Sequence, residues 1–417
     1  MSERIQAPRG TFDLLPADAP AREAVAREAA RILGRAGYGR IETPVFEATD
    51  LFARGVGEST DVVQKEMFTF SDAGGRSLTL RPEGTASVCR AYVEHGMHKL
   101  AQPVKLWYLG PFFRHERAQA GRFRQFWQVG AEALGSDDPG VDAEVIVLLG
   151  ELLEALEVRD VRLRLSSLGS PATRAAYRDR LQAHLHEHED RLAPEVRERI
   201  ALNPLRAFDS SDRGTQAVMA NAPKLLDALD DDDREHFAQV RTMLDALDVP
   251  HEVDPSLVRG LDYYTRTVFE FESGALGAQA ALGGGGRYDG LVAALGGPPT
   301  PGCGWAAGIE RILLAAAATP AVREVVDLYV AFAKPQARAA AVRMAADARR
   351  AGLSAQVELA GRSLKGQLKQ ADRVGARYVA ILGDDGTILK DMESGDQQEV
   401  SAAAVPAAVL RGGQYAL

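Results

Sequence analysis

Cysteine is nearly absent from this chain: Cys89 and Cys303 are the only two among 417 residues. Two thiols this far apart exclude a cysteine-based metal finger and a disulfide framework, and predict reduced thiols in a cytoplasmic protein. The apolar, helix-prone run Gly302 to Leu314 is interrupted by Glu310 and Arg311. A membrane span needs about 20 predominantly apolar residues, so no membrane partner is expected. The opening residues, Met1 to Pro8, lack the apolar core of a signal peptide. Positive charge is also short, with 49 Lys and Arg against 58 Asp and Glu and a formal net charge of -9.

That acidic total argues against a nucleic-acid partner only superficially, because distribution outweighs the sum. Lys334 to Arg377 holds ten Lys and Arg against three Asp and Glu. An acidic body with a basic end can hold one end of an RNA while discouraging unspecific coating of the rest. Within that end, Lys365, Lys369 and Arg373 recur every four residues on a helix expected from about Ser363 to Gly375. They share one face, with Arg362 just before it and Arg377 just after.

At roughly 100 to 200 residues per domain, the chain should hold two or three domains. Residues 1–322 mix helix and strand, with a helix expected from Arg22 to Gly37. Residues 171–248 interrupt this pattern with a charged, helix-prone stretch that has no aromatic cluster, and read as a helical insertion. A second boundary is expected near Thr319 to Arg323. Beyond it, over 326–417, apolar runs at Leu328 to Ala333, Ala355 to Val357 and Tyr378 to Leu382 alternate with helical segments, as in a small α/β domain.

Four stretches carry chemistry. The run Val258 to Thr265 sets the Arg259 guanidinium beside Tyr263 and Tyr264 on a segment that Gly260 lets turn. An arginine fork grips a carboxylate or phosphate, while tyrosines supply flat walls and a hydroxyl. Lys105 to Leu134 reads as two strands, Leu106 to Glu116 and Phe126 to Ala133, around the basic tip Arg117 to Arg124. Strand alternation puts Arg114 with Glu116, and Gln128 with Glu132, on shared faces, and Gly130 between the latter pair leaves room for a flat ligand. In Gly302 to Leu314, small residues crowd the beginning of a helix-prone run containing Arg311. Leu80 to Thr85 places Glu83 and Thr85 two apart after a proline.

As a string, Val258 to Thr265 resembles a signature of the histidyl-tRNA synthetases. Phe113-Arg114-His115-Glu116 with its basic loop resembles motif 2 of the class II aminoacyl-tRNA synthetases, and Gly308-Ile309-Glu310-Arg311 resembles motif 3. Ile41 to Val45, marked by Pro44, resembles motif 1, a dimer-interface element. Ala281 to Gly290 resembles the second histidine-specific signature, and Asn203 to Asp209 resembles the family's insertion.

The resemblance implies an α+β fold. Its class II catalytic domain is an antiparallel sheet flanked by helices, with a helical insertion and a C-terminal α/β anticodon-binding domain. It implies ligation of L-histidine to tRNA(His) through a histidyl-adenylate, with release of AMP and diphosphate, by a homodimer using ATP and Mg²⁺. By the same resemblance Arg114 and Arg259 hold the α-phosphate and the amino acid carboxylate. Glu116, Arg122 and Arg311 bind the rest of ATP, Arg311 at the γ-phosphate. Glu83, Thr85 and Gln128 anchor the ammonium, and Glu132 and Tyr264 read the imidazole between Tyr263 and Tyr288. Lys365, Lys369 and Arg373 face the tRNA.

Three other features carry less. Gly283 to Gly286 has no following Gly-Lys-Ser/Thr, which disfavours a Walker-type nucleotide loop. His184, His186 and His188 lie on an expected helix, and a solvated face is the simpler reading, so no metal site is expected. His115 points away from Arg114 and Glu116 and is expected to pack. Two rivals stay open, a class II synthetase for another amino acid and a synthetase-like regulatory subunit of histidine biosynthesis.

Overall fold

Helix α1 (Ala19–Arg35) starts ahead of the expected Arg22, because Pro20 suits a first turn whose N–H groups have no helical acceptor. Its buried residues Ala21, Ala24, Val25, Ala29, Ile32 and Leu33 follow the three-to-four spacing of one apolar stripe. The computed structural model describes residues 4–57, 60, 62–117, 121–257, 260–277, 280–317, 326–383 and 386–413, with the side chains at 206 and 209 excepted. Arg259 and the stretch from Thr319 to Arg323 therefore lie outside the described residues. The chain divides into two units, Met1–Ala321 and Val322–Leu417.

In the first unit, β1 (Gly39–Arg40) begins the main sheet. Strands β2 (Phe46–Ala48), β3 (Phe68–Ser71) and β4 (Ser77–Leu80), with helix α2 (Thr49–Val56) after the first, form a small antiparallel sheet in the order β2-β4-β3. Helix α3 (Thr85–Glu94) leads to the hairpin β5 (Val104–Phe113) and β6 (Gln125–Leu134), paired from Val104 with Leu134 to Phe113 with Gln125. The ladder thus stops before Arg114, three residues short of the expected strand end at Glu116. Arg114 keeps one bond to the facing strand side, its N–H donating to Arg124 O at 3.0 Å.

Helix α4 (Pro139–Ala155) is capped by Asp138, whose carboxylate accepts from Gly140 N at 2.7 Å. Strand β7 (Val161–Ser167) precedes the insertion, which comprises α5 (Pro171–Glu187), α6 (Pro194–Arg197), α7 (Arg213–Met219) and α8 (Asp231–Ala246) with short 3₁₀ turns. On α5, Tyr177, Leu181 and Leu185 recur every fourth residue and are buried against Val196, Ile200 and Val218 of the insertion. The main sheet resumes with β8 (Glu252–Val253), β9 (Thr265–Ser273), β10 (Ala281–Arg287), helix α9 (Leu291–Ala294) and β11 (Gly302–Gly308), followed by α10 (Ile309–Ala315).

Eight strands lie in the order β1-β5-β6-β11-β10-β9-β7-β8, antiparallel throughout except at the two edge pairs. Sequence reasoning read Gly302 to Leu314 as one helix-prone run, but its first half is a central strand. Its glycines suit the strand because neighbouring side chains fill the space they leave, as the site shows. Val145, Ile146, Leu149 and Leu152 of α4 close the core over Trp305 and Phe269. Each such side chain, fully removed from water, contributes about 1.5–3 kcal/mol.

The second unit is a five-stranded sheet. It contains β12 (Val326–Phe332), α11 (Arg338–Arg350), β13 (Ala355–Val357), α12 (Leu364–Arg373), β14 (Ala376–Leu382), β15 (Thr387–Asp391), β16 (Gln397–Val400) and α13 (Val405–Gly413). In the order β13-β12-β14-β15-β16, the first three strands are parallel, with helical crossovers, and the last two run antiparallel. Among the described residues no helix is long and apolar enough to cross a membrane.

One buried ion pair joins α4 to β10. Arg287 and Asp142 are both fully buried, and the guanidinium Nε donates to Asp142 at 3.1 Å, with a shorter contact from Nη2. His236 of α8 adds its Nε2 at 3.4 Å from the same carboxylate. Burial alone would raise the Asp142 pKa, but the His236 contact and the Arg287 charge outweigh it and hold the carboxyl below its ordinary range. Asp142→Ala leaves buried Arg287 with only the partly exposed Asp289, 3.2 Å away, as its counter-ion and should cost about 3–5 kcal/mol. All three tryptophans lie in this unit, so urea unfolding followed by tryptophan fluorescence reads the loss directly. Because the folded-state pKa is depressed, the Asp142 contribution is present at neutral pH and disappears as pH falls through that pKa.

Candidate active site

A cleft of ≈ 490 Å³ opens on the main sheet, and its polar lining falls into two groups of opposite character. Glu83, Thr85, Gln128, Tyr263 and Tyr264 form the first. Glu83 sits at the start of α3 and accepts from Thr85 N at 2.8 Å and Ala86 N at 2.9 Å, the helix N-terminus satisfying a carboxylate. Tyr263 adds a longer hydroxyl contact at 3.4 Å. Burial nonetheless raises the Glu83 pKa, its backbone donors and Arg114 only partly opposing this. Gln128 Oε1 is buried and has no hydrogen-bond donor among the described residues. A buried acceptor left open at a cleft wall is costly unless a ligand supplies the donor.

Behind this group stands Glu132, fully buried in β6. Thr85 Oγ1 donates to its Oε1 at 2.8 Å, Tyr108 OH to the same oxygen at 3.3 Å, and Tyr288 OH to Oε2 at 2.5 Å. Burial pushes its pKa up to about 8, against the lowering effect of the three hydroxyls, and the neighbouring Glu83 charge pushes the same way. Two missing side chains make the arrangement possible. A Cβ at Gly304 would fall 1.9 Å from Glu132 Oε2, and one at Gly130 would fall 2.3 Å from the Tyr108 ring. Gly130 therefore makes room for Tyr108, correcting the expectation that it makes room for a ligand.

The second group is cationic. Arg114 Nε donates to Pro82 O at 2.9 Å, its guanidinium lies 5.5 Å from the Phe126 ring, and Glu116 lies 3.8 Å away. Glu116 also pairs with Arg122 at 3.3 Å. Arg311 projects from α10, its Nε donating to Ala281 O of β10. Burial lowers the Arg311 pKa, and the neighbouring charge of Arg122 lowers it further. Glu310 anchors the start of α10, accepting from Trp127 N at 3.0 Å while Arg22 approaches at 3.3 Å. Glu270 lines this end too.

Glu83, Thr85, Gln128, Tyr263, Tyr264, Arg114, Glu116, Arg122 and Arg311 thus line one cleft, whereas Glu132 and Tyr288 stand one layer behind it. Tyr108 escaped sequence reasoning. Glycines 84 and 130 were the available signal, since a Cβ at either would strike its ring. His115 meets Phe68 edge to face at 5.4 Å, away from the cleft lining. At the end of α5, His184, Glu187 and His188 bring ligand-type atoms within 4.8 Å of one another. Both rings already meet backbone carbonyls, His184 Nε2 at Val218 O and His188 Nδ1 at His184 O.

In the second unit Lys365, Lys369 and Arg373 are exposed on α12, opposite buried Gln367 and Ala371. Arg362 and Arg377, expected to extend that face, are instead engaged with Glu358 at 3.1 Å and Asp391 at 2.9 Å.

Residues 10–312 match the family model described as histidyl-tRNA synthetase. The chain belongs to the histidyl-tRNA synthetase family. Residues 327–411 match a second model, an anticodon binding domain. The chain is 48% identical to a histidine–tRNA ligase of Rubrobacter xylanophilus, over 97% of its own length and 98% of that protein. It is 47% identical to that of Halothermothrix orenii, over 96% and 97%. The structure of apo histidyl-tRNA synthetase from S. aureus superposes with a TM-score of 0.81 at 35% identity, covering 97% of this chain and all of that one.

Glu132→Gln keeps the shape of the buried carboxyl and removes its titration. Since the folded-state pKa is raised, wild-type stability from this group is lost as pH climbs from the ordinary carboxylate range to about 8. The melting temperature of Glu132→Gln should therefore gain on wild type between pH 5 and 8, and the gain should be absent at pH 5. Histidine activation should fall more than ATP binding, because a pocket whose buried polar groups need partners discriminates by roughly 10⁴-fold.

Proposed function

We infer that this chain ligates L-histidine to tRNA(His), using ATP, through a histidyl-adenylate. The observation that carries this reading is the polarity of the cleft: buried Glu83 and the open Gln128 oxygen in one group, Arg114, Arg122 and Arg311 in the other. A zwitterionic amino acid joined to a polyphosphate has that same charge order. Glu83, Thr85 and Gln128 take the α-ammonium. Tyr264 and Glu132 read the imidazole, Glu132 by exchanging one hydroxyl donor for a ring N–H, with Tyr263 and Tyr288 as walls.

Activation brings two anions together, so charge neutralisation and positioning supply most of the catalysis. A histidine carboxylate oxygen attacks the α-phosphorus of ATP, the bond to the bridging oxygen breaks, and diphosphate leaves. Arg114 and Arg259 neutralise the α-phosphate and the carboxylate, and Arg311 holds the γ-phosphate. Glu116 and Glu270 offer the hard oxygen donors that suit Mg²⁺, which neutralises charge on the leaving polyphosphate when bound. In the second step the 3′-hydroxyl of the terminal adenosine of tRNA attacks the histidyl carbonyl, and AMP leaves.

The enzyme acts as a cytoplasmic homodimer. Val45, Phe46 and Phe70 are exposed beside the motif 1 segment, an apolar surface suited to a partner copy. Arg81 ties that segment to the site: its guanidinium donates to Thr43 O at 2.8 Å and Pro111 O at 2.9 Å, and the next carbonyl, Pro82 O, holds Arg114.

Pyrophosphate exchange with each of the twenty amino acids should proceed with histidine alone, and exchange driven by another amino acid would overturn the reading. Arg259→Ala should lower that exchange by at least about 10²-fold with the fold intact, and Arg259→Lys should recover little, since a point charge cannot reproduce the fork. Sedimentation at assay concentration should give a dimer; a fully active monomer would refute the assembly. Changing Lys365 and Lys369 together to Glu should raise the KM for tRNA and flatten the salt dependence of binding, leaving tRNA-independent activation near normal. Unchanged charging at physiological salt would move the RNA contact off this helix face.

A further inference from the structure

The segment that presents Tyr263 and Tyr264 to the cleft is not part of a sheet ladder; Gly260 to Tyr264 runs through bends and turns before β9 begins at Thr265. Its polar backbone must find partners elsewhere. Asp262 N donates to Val56 O at 3.1 Å. The carbonyls of Asp262 and Tyr264 are both met by one side chain from the insertion, Arg174 in the first turns of α5. Its Nη2 donates to Asp262 O at 3.2 Å and its Nη1 to Tyr264 O. The two carbonyls bracket Tyr263, so the fork fixes the backbone on either side of that ring.

The helix turn that carries Arg174 is in turn tied down. The root of α5 is tied by Asp233 of α8, which accepts from Ser170 N at 2.6 Å, Thr173 Oγ1 at 3.0 Å and Arg266 Nε at 3.0 Å. Ser170 caps α5 by accepting from Thr173 N at 3.2 Å. Arg266 has a φ of 45°, uncommon for a residue with a side chain, and lies where the β9–β10 pairing shifts register. That departure lets its N–H donate to Gly169 O at 2.8 Å while its guanidinium reaches Asp233. One end of the Arg174 bridge is therefore fixed to β9 and the other to the segment that leads into it. Arg174 itself is absent from the cleft lining.

We propose that Arg174 is a positioning residue for the amino acid half of the cleft: through the Asp262 and Tyr264 carbonyls, the insertion sets the placement of Tyr263 and Tyr264 and hence the affinity for histidine. This rests on the reading of the cleft as a histidine and ATP site. It separates the two substrates, because the ATP group of Arg114, Arg122 and Arg311 is held by Pro82, Glu116 and Ala281. A lysine ammonium lacks the planar fork whose two separate nitrogens reach the two carbonyls, so it does not reproduce this geometry.

The test is steady-state pyrophosphate exchange on the full-length protein, with histidine and ATP varied separately. Arg174→Met keeps the packed stem and removes only the donors, so it guards against loss of folding. It should raise the KM for histidine about tenfold or more, the scale of a lost hydrogen bond from a charged group, and leave the KM for ATP within about twofold. Arg174→Lys should fall between Met and wild type. An unchanged KM for histidine, or equal rises in both KM values, would overturn the proposal. Absence of histidine-dependent exchange in the wild-type chain would instead defeat the functional reading on which it stands.

Discussion

Keeping the carboxyl group of Glu132 out of water in the middle of a β-sheet is the constraint around which the catalytic unit is arranged. An unpaired carboxylate there would be prohibitively costly, and each device around it reduces that cost. Three hydroxyls from separate elements converge on its two oxygens and oppose the rise in pKa that burial causes. Tyr108 comes from β5, Thr85 from the start of α3, and Tyr288 from the turn after β10. In the observed strand order β6 lies between β5, which carries Tyr108, and β11, whose Gly304 pairs opposite Glu132 and leaves its carboxylate room.

A second buried charge keeps the third of those hydroxyls in register. Arg287 immediately precedes Tyr288, and Asp142 of α4 fixes Arg287. His236 reaches the same carboxylate from the insertion. Arg174 and Asp233 add further ties between insertion and strand. The insertion is thus bound into the catalytic unit both by polar contacts at its root and by apolar packing, with Phe237, Val240 and Leu244 of α8 sharing a core with α4, and Tyr177, Leu181 and Leu185 sharing one with Tyr264 and Tyr288.

Most of the cleft was legible because its residues fall in short strings whose spacing survives folding. Arg114 with Glu116, Glu83 with Thr85, and Glu310 with Arg311 are each local pairs, and local pairs can be read directly. The fold class was legible for a similar reason: alternation marks strands, and the break in character after Ser170 marks the insertion. What escaped is tertiary. Tyr108 looks like any half-buried strand aromatic until Gly84 and Gly130 are seen to enclose it. Asp142 and Arg287 are 145 residues apart, and neither is flanked by anything that names the other. Reading Gly302 to Gly308 as the beginning of a helix went wrong because a glycine-rich stretch has no side-chain alternation to reveal a strand. Arg362 and Arg377 fitted the basic stripe by spacing alone, but acidic neighbours claimed them first.

The empty positions in this sheet also govern how the chain can tolerate change over time. At Gly84, Gly130, Gly302 and Gly304 a single added methyl would enter the space of Tyr108, Tyr288 or Glu132, all within 2.4 Å. None of these four glycines contributes a functional group, yet alanine at any of them would displace a buried partner that has nowhere to go in a close-packed interior. Drift at these sites is therefore closed off as firmly as at the charged residues they surround, and the most conservative replacement in the genetic code becomes one of the most disruptive.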